Sequence, residues 1–160
     1  MHEESKSGNC ACHRLNRREL LQVIGGSAGA LILTSALPGC SPATGSPPSG
    51  PISAMNVSDF KLNSMRVLSS NVVVGLDSKG PYAMSAICTH AGCVLEDNSE
   101  TIAAGLYCPC HGSSFDGNGV VTHGPARSAL QHYQVSVATD GSITVDGSKP
   151  VAADARTSVG

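Results

Sequence analysis

"CTHAGC" at residues 88–93 and "CPCHGSSF" at 108–115 place four cysteines and two histidines in two short segments. Each sets a cysteine close to a histidine and surrounds them with glycine and other small residues. Such backbone can curl round a bound centre and aim N–H groups at it. Six donors exceed the needs of one small metal site. A tetrahedral zinc site would use four of them, although the apolar setting "LYCPCHGSSF" (106–115) differs from zinc-ribbon knuckles. A pure disulfide framework would use the four cysteines and leave both histidines unexplained.

Outward from these segments, the chain reads as β structure. "MRVLSSNVVVGLDSKGPYAMSAI" (65–87) gives two or three strands punctuated by Gly and Pro, and "TIAAGLYC" (101–108), "HYQVSVAT" (132–139) and "GSITVDG" (141–147) give more. In "YQVSV" and "SITV" apolar and polar residues alternate, as on a half-buried strand. No convincing helical period occurs from about residue 54 onward. Both Cys/His segments follow apolar strand ends, "AAGLY" in the second case. The expectation is an all-β domain over 54–160, a small antiparallel sandwich or barrel. With no Trp, two Phe and three Tyr, its core is thin, and a domain of this size is helped by a metal or disulfide staple.

The N-terminal part has a different character. Arg17 and Arg18 precede "LLQVIGGSAGALILTSAL" (20–37), which carries no charge. This resembles a twin-arginine export signal, whose pathway carries folded, cofactor-loaded proteins; an ordinary secretory signal is the alternative. "LPGC" (37–40) resembles a lipoprotein processing box with Cys40 as the lipid-bearing residue, although Pro38 is an unusual occupant. A cut after "TSA" or an uncut membrane helix remains open, the 18-residue run being at the short end for a span. Residues 1–40 are thus expected to be a signal or anchor helix. Residues 41–53, "SPATGSPPSGPIS", read as a flexible linker. Cys10 and Cys12 lie in the polar tail and are read as functionally silent. Ten basic residues against twelve acidic ones, with the basic run at the N-terminus, exclude a nucleic-acid binder.

One residue separates Cys88 from His90, 17 residues separate His90 from Cys108, and two residues separate Cys108 from His111. This spacing resembles the ligand pattern of the Rieske iron–sulfur family, in which one iron takes two thiolates and the other two imidazoles. The resemblance spans about residues 86–127. It implies one [2Fe-2S] cluster in a small cluster-binding subdomain, with Cys88 and Cys108 on one iron and His90 and His111 on the other. It also implies a disulfide between Cys93 and Cys110, matching the pair that links the two loops in respiratory members. Closing a loop of about 16 residues, that bridge would contribute about 3 kcal/mol. Replacing two thiolates by neutral imidazoles removes two negative charges and raises the potential to about −150 to +300 mV, against about −400 mV for all-cysteine plant-type clusters. Imidazoles reaching solvent could also couple a proton to the electron.

The same resemblance assigns Ser113 to a hydroxyl donor on a cluster sulfide, which favours the reduced state. Phe115 is a departure: high-potential members carry a Tyr there that donates to a ligand sulfur, so a lower potential is implied. Gly124 and Pro125 match a third loop that covers the cluster. Ala91 stands where respiratory members carry a bulkier Leu, and Arg127 where a second Pro is common. His123 and His132 fall outside the pattern and read as surface or turn residues.

Together these features imply an exported, membrane-tethered electron-transfer protein on the periplasmic side. Its expected post is the iron–sulfur subunit of a quinol-oxidising cytochrome bc-type complex, with quinol and a cytochrome as partners. The alternatives are a stand-alone carrier or the small subunit of an exported molybdenum oxidoreductase, and more remotely a structural zinc or disulfide module. Such a subunit passes electrons without completing a turnover by itself.

Overall fold

The structure is a computed structural model that describes residues 44–159. The signal or anchor segment expected over 1–40, with Arg17, Arg18 and Cys40, lies outside the described residues.

Residues 64–85 form three successive antiparallel strands, β2 (Ser64–Leu68), β3 (Val72–Asp77) and β4 (Gly80–Ser85). Val72, Val73 and Val74 of β3 are all fully buried, so this strand is covered on both faces. That explains why its sequence shows a continuous apolar run rather than alternation. Val72 and Val74 face a cluster with Phe60, Ala83, Tyr133, Ile143 and Val145. Val73 faces the opposite way, into a cluster with Tyr82, Met84, Leu95, Leu106 and Phe115.

The first cluster is the inside of a curled sheet. Its order is β1 (Pro51–Asn56), β10 (Ser142–Val151), β9 (His132–Val137), β4, β3, β2, antiparallel throughout. Side chains from β3 and from β10 meet in one cluster although β9 and β4 lie between them, which requires the sheet to curl into a half-barrel. In β9, Tyr133 and Val135 are buried while Gln134 and Ser136 are exposed, as the alternation predicts.

The second cluster joins this sheet to a subdomain inserted between β4 and β9. It has four short antiparallel strands, β5 (Glu96–Asp97), β6 (Leu106–Tyr107), β7 (Ser114–Phe115) and β8 (Val121–His123), in that order. Both Cys/His segments belong to it. Among the described residues the only helices are the 3-10 turns Val57–Asp59 and Ile102–Ala104, and no helix is long and apolar enough to cross a membrane.

Two expectations are corrected. The run "TIAAGLYC" was expected to be a strand, yet Thr101 makes only an isolated bridge to Ser64, Ile102–Ala104 is a 3-10 turn, Gly105 takes φ 68°, and the strand is confined to Leu106–Tyr107. Small residues there have no side chain to hold a pleat, and the turn bonds locally instead. The linker of 41–53 also ends early: Pro51–Ser53 open β1 and pair with Asp146, Val145 and Thr144, and Pro48 is buried. Paired backbone, with the buried Pro48 and the half-buried Ile52, holds this stretch.

Candidate metal centre

The two Cys/His loops are built alike. In the first, the N–H of Cys88 donates to the carbonyl of Cys93 (2.8 Å) and that of Gly92 to Cys88 (3.0 Å). In the second, Cys108 donates to Ser113 (2.8 Å) and Gly112 to Cys108 (3.0 Å). Gly92 and Gly112 take φ of 76° and 79°, a left-handed turn that suits glycine. Each loop is therefore a tight hairpin tip with its leading cysteine at the base and its histidine at the crest.

Burial divides the six donors. Cys88 and Cys108 are free thiols, 2% and 1% exposed, beside one another. Cys93 and Cys110 are joined in a disulfide that ties the two loops together. His90 and His111 are exposed at the crest, with ring centroids 4.9 Å apart and planes nearly perpendicular. The sulfurs of Cys93, Cys108 and Cys110 lie within 4.8 Å of one another. Two of those three are spent in the disulfide, so the thiol donors available to a metal are Cys88 and Cys108.

The surroundings suit an anionic, sulfur-rich group. Burial pushes the Cys108 thiol up, and the neighbouring Cys88 adds to this, while backbone N–H groups of Cys110 and His111 point at its sulfur and pull the other way. Two buried thiols side by side are costly as a pair of free thiolates and become favourable when a cation neutralises them. The Ser113 hydroxyl is fully buried; its oxygen accepts the Ala126 N–H at 3.0 Å, which leaves its own proton free to donate. These features fit a [2Fe-2S] group held by two sulfurs and two imidazoles.

A third loop closes the side of the site. Ala126 is buried beneath it, Thr89 Oγ1 donates to the Ser128 carbonyl at 2.6 Å, and Gly124, Pro125 and Arg127 are exposed. Ala91 is exposed beside His90. Phe115 is 2% exposed and packs in the same cluster as Cys88 and Cys108.

His123 is exposed on β8, as expected, but His132 is not a surface residue. It is 2% exposed, opposite Met84 across β4 and β9, and its Nε2 meets the Asn118 carbonyl at 3.0 Å. The subdomain's turn at 116–119 covers it. Arg156 reaches the same turn, bonding Asn118 Oδ1 (2.8 Å) and Asp77 (2.7 Å) over the Tyr82 ring. The sequence offered no signal for this network or for the Thr89 tie, because both pair residues from distant segments.

A family model described as the Rieske [2Fe-2S] domain matches residues 51–134. The cytochrome b6-f complex iron-sulfur subunit of Synechococcus sp. (strain CC9605) is 48% identical over 69 residues, which are 43% of this chain and 38% of that protein. The corresponding subunit of Prochlorococcus marinus (strain MIT 9211) is 44% identical over 70 residues, again 43% and 38%. The chain thus spans less than half the length of these relatives. Among solved structures, the plasma membrane Rieske protein of Synechocystis PCC 6803 is 26% identical, with a TM-score of 0.42 over 59% of this chain and 98% of that one.

Proposed function

The chain belongs to the Rieske [2Fe-2S] family and is an iron–sulfur electron-transfer protein; we propose that it is exported, tethered to the membrane on its periplasmic side, and serves as the iron–sulfur subunit of a quinol-oxidising cytochrome bc-type complex. The observation that carries this reading is the division of the six donors. Two thiols are buried, two imidazoles are exposed, and the remaining two cysteines form the bridge between their loops.

In this reading Cys88 and Cys108 would hold one iron, and His90 and His111 would hold the other. When bound, the cluster supplies a one-electron acceptor at about −150 to +300 mV, a range accessible to a quinol. The protein's own part is positional. The buried loop bases keep water from the sulfurs, and the Cys110 and His111 N–H groups and the Ser113 hydroxyl stabilise negative charge there. The exposed imidazoles present the place where a quinol can donate a hydrogen bond and pass on its proton. The Cys93–Cys110 bridge keeps the two crests together.

Relatives named as cytochrome b6-f subunits support the complex. A second reading, a stand-alone carrier or the small subunit of an exported molybdenum oxidoreductase, is favoured by the exposed Ala91 and Arg127, which give the crest little apolar surface for a quinol pocket. Quinol added to native membranes separates the two. The proposal expects cluster reduction and co-purification with a cytochrome b. A cluster that dithionite reduces but quinol does not, in a protein that purifies alone, would favour the carrier.

A further inference from the structure

Residues 44–50 do not run free. They are seated on the domain beside the loop that carries Cys88 and His90. Thr44 pairs with Cys93 in an isolated antiparallel bridge, and the Gly45 N–H donates to the Gly92 carbonyl at 3.0 Å. Asn71 Nδ2 donates to the Ser46 carbonyl at 3.1 Å, and the Gly147 N–H to the Gly50 carbonyl at 2.8 Å. Pro48 is buried, and Pro47 lines a shallow cavity with Ile87, Cys88 and Thr89.

The seat is shaped for this segment. A Cβ on Gly45 would overlap Ile87 Cδ1 and stand 3.0 Å from Val94 Cγ2. One on Gly147 would stand 2.7 Å from the Pro48 carbonyl carbon. Glycine at both positions lets backbone lie against the domain at hydrogen-bonding range. Asn71 holds φ 62°, a left-handed turn that Asn tolerates, and this turn delivers its amide to Ser46.

The contacts fall on a different side of the cluster loop from its other two ties. The disulfide ties Cys93 to the second loop, and the Thr89 hydroxyl ties the crest to the third. Among the described residues, the Gly92 carbonyl is held by Gly45 alone. We propose that Thr44–Gly50 is a positioning strap that fixes the outer edge of the loop bearing Cys88 and His90. The effect on the cluster rests on the ligand assignment above; the holding of the loop does not.

The test uses full-length, oxidised, cluster-loaded protein with Asn71→Gly, which keeps the left-handed turn and removes the amide, alone and combined with Gly45→Val. Hydrogen exchange is read at the Cys88 and Gly92 amides, with Val73 as reference, and the reduction potential is titrated in parallel. The strap predicts a protected Gly45 amide in the unaltered protein. In the double variant it predicts at least tenfold faster exchange at Cys88 and Gly92, no change at Val73, and a shifted potential at unchanged iron content. Should Gly45→Val fail to load the cluster, Asn71→Gly alone is held to the same direction in both readouts. An unprotected Gly45 amide, loop amides that do not respond, or faster loop exchange with an unmoved potential would each overturn the positioning role. Quinol enters neither readout, so a wrong partner leaves the result intact. A wrong ligand set shows separately, as missing histidine coupling in the unaltered protein.

Discussion

Phe115 lies fully buried among the residues around Cys88 and Cys108, and its ring has no group to donate. A hydroxyl placed there by Phe115→Tyr would have to find an acceptor, since an unsatisfied buried donor costs about 1–3 kcal/mol. The acceptor expected from the family pattern is a ligand sulfur. A bond worth about 1 kcal/mol more to the reduced state raises a one-electron potential by about 40 mV. Redox titration of Phe115→Tyr should show that rise, and an unchanged or lower value would count against the assignment. Ser113→Ala should move the potential the other way, because it deletes the free buried proton beside the site. These residues could be singled out in the sequence because the spacing of Cys and His is a covalent property of the chain. The partner of Ser113 was not, because Ala126 reaches it from thirteen residues away through a backbone N–H that every residue has.

Alternation along β9 correctly placed Tyr133 and Val135 inside, and by the same logic His132 should face outward. It does, but onto the inserted subdomain rather than into water. Strand periodicity reports which face a residue occupies and cannot report what covers that face. The linker was misread for a related reason: its residues bury little, yet their backbone finds partners on β10 and the first cluster loop. Burial is also the main cause that holds the His132 imidazole below the usual histidine range. The Asn118 carbonyl opposes it, Arg156 adds to it, and Asp116 opposes it. The folded state therefore binds this proton less readily than the unfolded chain. Stability on this account is full above about pH 6.5 and declines as pH falls through that value toward the lower folded pKa. Asp77 does not confuse the window. Burial raises its pKa, but bonds to Arg156 and Lys79 outweigh that, so its contribution is lost only under more acidic conditions. Urea midpoints at pH 7.5 and 5.5 should differ more for the unaltered protein than for His132→Gln. A pair of equal slopes would refute the buried neutral role. At the same scale, replacing Cys93 and Cys110 by serine should lower stability by about 3 kcal/mol, read from denaturant midpoints.

Over the described residues the molecule is a curled six-stranded sheet carrying a four-stranded insert, and the insert holds both Cys/His loops. The all-β class was readable from β-branched runs and turn residues. The two-core arrangement was not, because "VVV" at 72–74 signals a strand covered on both faces without saying which elements cover them. The Cys/His segments were the most informative part of the chain for a physical reason. A cluster demands specific donors at specific spacings, whereas a sheet accepts many sequences. The central claim is that one [2Fe-2S] cluster sits between Cys88, Cys108, His90 and His111. It is tested most directly by pulsed electron–nuclear spectroscopy on reduced protein with nitrogen-labelled histidine. The account predicts coupling to two histidine nitrogens, one from His90 and one from His111, unaffected by His123→Ala. A reduced protein with no histidine coupling, or a colourless one holding zinc without labile sulfide, would contradict it.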